Sequence, residues 1–238
     1  MKWWIAIACA ALPLCVTAAG VRTQLVGFEN YALGPIAGQH GWTSTGVTAP
    51  EISDEHPSWG QKHLRFSTDE NVPSGQRVEA VSPAEYFPSD IDWGFLYAEV
   101  SFSDVSPRTT YDLLGRGRDG LPTSGFRFTP DHQILVLDDL GEGPEFVPTG
   151  YSWSAGYAFF CADTWPHGQG IDYWCEGVLA YHAGPIGTRI PLNVVLASDN
   201  QWGAPGEFMD VDGLAYGWMP EPAMSQLLLC GLVALRHR

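Results

Sequence analysis

Nowhere in these 238 residues does an apolar period of 3.6 persist over three turns, whereas period-two alternation recurs along the chain. In the run 95–103, Leu96, Ala98, Val100 and Phe102 fall on one side. Tyr97, Glu99, Ser101 and Ser103 fall on the other. That pattern specifies an antiparallel strand with one buried face. Phe126 to Phe128 and Ile134 to Leu137 flank Thr129-Pro130-Asp131-His132, where Pro at the second turn position followed by Asp predicts a hairpin. Leu192, Val194 and Leu196 alternate with Asn193 and Val195. Met209 to Tyr216 reads as the last strand, with Asp210 and Asp212 on one face and Val211 on the other. Further strand candidates are 24–28, 63–67, 77–81, 109–114, 155–161 and 177–182. Gly 27 and Pro 18 supply the turns between them. Only Lys2 and Lys62 are lysine, too few for the Lys/Glu-rich outer faces of long helices. Many short strands at regular spacing predict an all-β antiparallel sandwich.

The two ends depart from this rhythm. Lys2 gives a short positive segment, 3–16 are apolar, and Thr17-Ala18-Ala19 offers small residues for cleavage. Residues 1–19 therefore read as a secretory signal peptide in helical form. Cys15 is followed by Val16 rather than a small residue, which argues against lipidation there. At the other end, Pro220-Glu221-Pro222 precedes an apolar run, Ala223 to Leu235, and a basic close at Arg236 and Arg238. A helix over that run covers only about 20 Å of a hydrocarbon core of about 30 Å. Transient membrane association is expected, with the arginines cytoplasmic.

The order Pro-Glu-Pro, apolar stretch and Arg-containing terminus resembles the PEP-CTERM sorting signal of bacteria. The tail departs from that pattern at the polar Ser225 and Gln226. The resemblance implies processing of 219–238 by an exosortase, a membrane protease-transpeptidase, after transient inner-membrane anchoring. The product would be secreted to the cell envelope, surface or extracellular matrix.

Between the ends, 20–218 forms one expected domain, long enough for a substantial core. It holds nine Lys+Arg against 26 Asp+Glu, a charge of −17 compared with −15 for the whole chain. Such a surface has no basic footprint for nucleic acid. Cys161 and Cys175 are the two cysteines of this domain. An exported domain with one pair of cysteines predicts a disulfide, the alternative being two buried thiols.

The opening Gly27-Phe28-Glu29-Asn30-Tyr31-Ala32-Leu33-Gly34-Pro35-Ile36-Ala37-Gly38-Gln39-His40-Gly41-Trp42 is similar to the start of exported bacterial domains with a concanavalin A-like, laminin-G-like jelly roll. The resemblance implies the lectin/glucanase sandwich, a fold shared by binding modules and glycoside hydrolases, so activity must be argued from the site. Glucanases on this fold carry Glu-x-Asp-x-Glu. The nearest segment here, Glu207-Phe-Met-Asp210-Val-Asp212, has the wrong spacing and ends in Asp. Gly-x-Ser-x-Gly is absent. No catalytic set is read from the sequence, and Asp210 and Asp212 are equally well a solvated strand face.

Eight Trp lie in 20–218. Trp153, Trp165, Tyr173 and Trp174 fall in a Gly/Pro-containing region expected to hold loops, and Trp202 falls in another. Aromatic faces at such places suit sugar stacking, and aromatics equally fill sandwich cores. Asp199, Asn200, Glu207 and Asp210 are oxygen ligands close in sequence and form a weak calcium candidate; no other cofactor is expected. The leading expectation is a non-catalytic structural or carbohydrate-binding component with a polysaccharide partner. A glycan-active hydrolase or lyase, and an adhesion module that binds protein, are the alternatives.

Overall fold

The computed structural model describes residues 23–217 apart from 56, 59, 86–93, 166–168, 187–190 and 201. The signal peptide (1–19) and the sorting tail (219–238, with Pro220, Glu221, Pro222, Arg236 and Arg238) lie outside the described residues. The described strands, in chain order, begin with β1 Thr23–Gly27, β2 Gly34–Pro35, β3 Thr43–Thr45, β4 Glu51–Ser53 and β5 His63–Ser67. Next come β6 Val78–Val81, β7 Gly94–Phe102, β8 Tyr111–Arg116, β9 Pro122–Phe128, β10 Gln133–Asp139 and β11 Pro144–Ser152. The last five are β12 Gly156–Trp165, β13 Gly170–Cys175, β14 Val178–Ala183, β15 Asn193–Ser198 and β16 Phe208–Gly217. A single 3-10 turn, Phe28–Asn30, is the only helical element among the described residues.

These strands form two antiparallel sheets. Nine strands make the first, in the order β14-β13-β12-β7-β16-β5-β4-β2, with β1 pairing alongside β16. Seven make the second, in the order β11-β10-β9-β8-β15-β6-β3. The expected sandwich is therefore present, and the expected segments 95–103, 126–128, 134–137 and 209–216 lie on β7, β9, β10 and β16, overrunning β7 by one residue. The alternation of β7 holds as read: Leu96, Ala98, Val100 and Phe102 enter the core between the sheets. They meet an aromatic layer in which Phe102 and Phe128 rings lie 4.9 Å apart and Phe128 and Phe160 rings 4.8 Å apart. Each such ring contributes about 1.5–3 kcal/mol on burial. Thr129 to His132 makes the expected turn, closed by His132 at φ 65°.

Strand β16 carries one irregularity. Val211 faces Val100 and Gly213 faces Glu99 on β7, leaving Asp212 as the extra residue of a bulge. The bulge changes the phase of the strand. Met209 and Val211 point to the core before it, and Leu214 and Tyr216 after it.

The cysteines correct an expectation. Cys161 and Cys175 are both free and both buried. Their strands are adjacent, but Cys161 stands opposite Trp174 while Cys175 stands opposite Phe160. A one-residue offset on paired strands puts two side chains on opposite faces of the sheet. Cys175 joins the core, Cys161 faces outward, and no disulfide can join them. Burial raises both thiols, that of Cys175 to about 12, so neither is a reactive thiolate.

Candidate functional site

The outer face of the nine-stranded sheet gathers a continuous group of polar and aromatic residues that the core does not use. Strand β7 presents Tyr97, Glu99 and Ser101 there, the polar half of its alternation. By register, β12 adds Tyr157, Phe159, Cys161 and Asp163 beside them. Strand β13 adds Asp172 opposite Asp163, and Trp174 opposite Cys161. Strand β14 adds His182 opposite Asp172 and Leu179 opposite Trp174. On the other side, β16 brings Asp210 against Ser101, and β5 brings Arg65 against Asp210.

Toward β14 this face is open. Trp165 and Trp174 are half-buried and Leu179 is exposed. The Trp165 indole N–H donates to Asp172 Oδ2 at 2.7 Å, and Asp172 Oδ1 lies 2.6 Å from His182 Nδ1. Asp172 thus fixes both rings. The Trp174 indole N–H is buried without a hydrogen-bond partner among the described residues. Asp163 is raised to about 6, chiefly by burial. The Cys161 thiol, 3.5 Å from Asp163 Oδ1, opposes the rise, and the Asp172 charge adds to it.

Toward β5 the face is roofed. Arg65 makes two parallel bonds to Asp210, Nε to Oδ1 and Nη2 to Oδ2, each 2.8 Å. Its guanidinium also lies 4.4 Å from the Phe208 ring centroid and bonds Glu55 of the β4–β5 loop. The same loop places Ser58 over two carboxylates: its N–H donates to Asp212 Oδ2 and its hydroxyl to Glu99 Oε1, each at 2.5 Å. Glu99 is 7 % exposed and Asp212 2 % exposed, although Ser58 itself is exposed. Burial, then the charges of Asp210, Asp212 and Glu99, raise the Tyr157 hydroxyl well above its ordinary range, so it remains a donor.

The expected site residues divide between this face and elsewhere. Trp165 and Trp174 are on it, on strands rather than loops. Trp153 is not a sugar platform: it is 5 % exposed, its ring lies 4.3 Å from Phe102, and its indole N–H donates to Thr129 O. Tyr173 is fully buried in the core, its hydroxyl donating to Leu137 O at 2.8 Å. Trp202 is 38 % exposed but follows β15 of the other sheet, with the Arg108 guanidinium 5.4 Å from its centroid.

The four calcium candidates brace loops and strands. Asp199 accepts from Thr110 N–H, and Asn200 Oδ1 from Gly75 and Trp202 N–H. Glu207, 2 % exposed, accepts three backbone N–H groups, from Ala204, Arg108 and Thr109. Asp210 faces Arg65. Among the described residues no group of three or more His, Cys, Asp and Glu is arranged to hold a metal. Sequence reasoning missed the pairing of Glu99 with Asp212. Both acids were visible on outward strand positions, but only the register of β7 on β16 joins them.

No family model matches this chain, and no curated protein does. Solved structures do. A sialidase superposes with TM-score 0.56 at 12% identity, covering 83% of this chain and 18% of that one. This chain thus spans under a fifth of the sialidase. The Bacillus licheniformis β-glucanase superposes at 0.52 with 12% identity, covering 84% of this chain and 100% of the glucanase. A botulinum neurotoxin type C structure, of a toxin that interacts with two ganglioside molecules, superposes at 0.50 with 6% identity, covering 83% of this chain and 49% of that one. The neighbours include concanavalin A-like glucanase- and lectin-type sandwiches, and at these identities the likeness is one of fold: this chain is an all-β antiparallel sandwich of that architecture.

Proposed function

We propose that this protein is an exported β-sandwich that binds carbohydrate across the outer face of its nine-stranded sheet. The observation that carries the reading is the placement of Trp165 and Trp174 on the same face as Asp163, Asp172 and Glu99. Sugar recognition combines flat apolar rings, which cover C–H faces, with fixed acceptors for hydroxyls. Asp172, which already orients Trp165 and His182, is such an acceptor. The acidic surface disfavours polyanionic glycans and suits neutral or amino sugars.

The signal peptide and tail place the domain outside the cell in this reading. An exosortase-type enzyme is its processing partner, and the cell surface or matrix its destination. A glycan array probed with the purified protein tests the binding: hits abolished by Trp165→Ala or Trp174→Ala are expected. Silence across neutral plant and bacterial polysaccharides would refute it. Deleting 220–238 should shift cell fractionation, and an unchanged distribution would remove the sorting reading.

A second reading, glycan cleavage, is favoured by one observation: Glu99 and Asp212 both bond Ser58. Retaining hydrolysis uses two carboxyl groups about 5–5.5 Å apart. Reducing ends released by the wild type and not by Glu99→Gln would support that reading over simple binding.

A further inference from the structure

Ser58 is an unusual roof for two buried acids. It belongs to an exposed loop, yet it spends both of its donors downward, the N–H on Asp212 and the hydroxyl on Glu99. Two donors on one small group, directed at two carboxylates on a sheet face, reproduce the donor pattern of adjacent hydroxyls on a sugar ring. The loop is held on either side of this contact and not only by it. Upstream, Glu55 pairs with Arg65. Downstream, Glu29 Oε1 accepts from Gln61 N–H at 2.7 Å and Lys62 N–H at 3.1 Å. Ser58 can therefore lift while both ends stay anchored.

An independent observation in the same polar nest shows an unfilled demand. His63 is fully buried, and neither ring nitrogen has a hydrogen-bond partner among the described residues. Its Nε2 lies 3.3 Å from Asp210 Oδ1, outside hydrogen-bonding geometry. A buried imidazole is rarely left so, because its desolvation then goes uncompensated. A hydroxyl-bearing ligand entering beneath the lifted loop would supply the missing partner.

We propose that Ser58 is an internal stand-in for a ligand. It occupies a diol-binding subsite made by Glu99 and Asp212, and a neutral glycan with adjacent hydroxyls displaces it. The proposal rests on the carbohydrate-binding reading above and extends that site from Trp165 and Trp174 across β7 to β16. Binding then competes with self-occupancy, and a glycan gains affinity when the competitor is weakened. Uronic acids keep ring hydroxyls that can donate, but their carboxylates are repelled by Glu99, Asp210 and Asp212, so they are disfavoured.

The test uses the purified protein with cellohexaose, laminarihexaose and chitohexaose as neutral probes and trigalacturonic acid as the acidic one. Ser58→Gly removes the hydroxyl bond to a charged acceptor. It should tighten at least one neutral hexasaccharide about 10-fold, the scale of one such bond. The gain should vanish in Ser58→Gly/Glu99→Gln, while trigalacturonic acid binds none of the variants. Amide exchange over residues 53–62 should speed up in Ser58→Gly without sugar, and in the wild type when sugar is added. Neutral sugar binding that is lost in Trp165→Ala but unchanged by Ser58→Gly would overturn this proposal and leave the carbohydrate reading standing. Failure of every probe with both wild type and Ser58→Gly would overturn both.

Discussion

Replacing Arg65 by methionine isolates the strongest electrostatic element of the outer face. Arg65 is 8 % exposed and Asp210 is 2 % exposed, joined by the two 2.8 Å bonds described above. Asp210 in turn holds the guanidinium firmly charged, raising it above its ordinary value. Arg65→Met keeps a flexible apolar stem over Phe208 but leaves the Asp210 carboxylate buried without a cation. Breaking a buried pair from one side costs about 3–5 kcal/mol, because the remaining charge is uncompensated. Loss of the contact with the Phe208 ring adds about 0.5–1 kcal/mol. For a domain of this size each kcal/mol moves the Tm by about 2–4 °C, so a fall of about 7–24 °C is expected. Urea unfolding followed by Trp fluorescence at pH 7 measures it: the midpoint should fall with the m-value unchanged. Arg65→Met/Asp210→Leu should recover most of the loss, since an apolar pair of similar volume replaces a buried ion pair at little cost. A single-variant loss under about 1 kcal/mol, or a double variant as unstable as the single, would refute the argument.

Three further outcomes follow from the same geometry. The folded state holds the Asp163 proton up to about pH 6, whereas its ordinary value is 3.8. This group therefore stabilises the fold fully below the lower value and loses that contribution as pH rises through the upper one. Asp163→Asn should stabilise the fold relative to wild type at pH 8 by about 2–3 kcal/mol, read as a higher Tm, and leave the Tm unchanged near pH 3.5; equal Tm shifts at both would refute the burial of this carboxyl. Cys161 and Cys175 should give the same protein mass with and without reductant, and both should react with a thiol reagent only after unfolding; a mass 2 Da lower without reductant (two hydrogens, as in a disulfide) would contradict the strand register. Gly60 sits at φ +75°, and a Cβ there would lie 2.1 Å from Glu29 Oε1; Gly60→Ala should therefore loosen the downstream anchor of the β4–β5 loop, read as faster amide exchange at Gln61 and Lys62, and unchanged protection there would argue against that anchor.

Strands whose two faces differ in polarity were legible in the sequence. On β7 the core face is wholly apolar and the outer face carries Glu99 and Ser101, so period two was plain. Strand β13 was read as loop because its core face (Ile171, Tyr173, Cys175) and its outer face (Asp172, Trp174) both carry large residues, which hides the alternation. Of the two readings open for the aromatics, sugar contact and core, Tyr173 takes the core, and Trp153 is drawn into the core behind the β9–β10 turn. The disulfide failed for a related reason. Chain separation says that two cysteines can meet, but register decides whether they share a face, and register is set by partners distant in sequence. The Glu99–Asp212 juxtaposition is of the same kind. Each acid could be placed outward from local alternation, but the bulge that aligns them is a property of two strands more than a hundred residues apart.

That bulge has a consequence for how the protein can change over generations. Strand β16 spells two messages in one ten-residue stretch. One is the core, written by Met209, Val211, Leu214 and Tyr216, and the other is the outer face, written by Asp210 and Asp212. The bulge absorbs the extra residue, so Asp212 adds an acid to the face without shifting the core. Swapping side chains at Asp210 or Asp212 rewrites the face and spares the core. Losing Asp212 would close the bulge and leave Gly213 opposite Glu99, with Leu214 and Tyr216 still in the core, whereas losing Leu214 or Ala215 would turn Tyr216 to the outside. Lineages of this domain should therefore vary freely in which acids they display, and changes in the length of this strand should fall at the bulge.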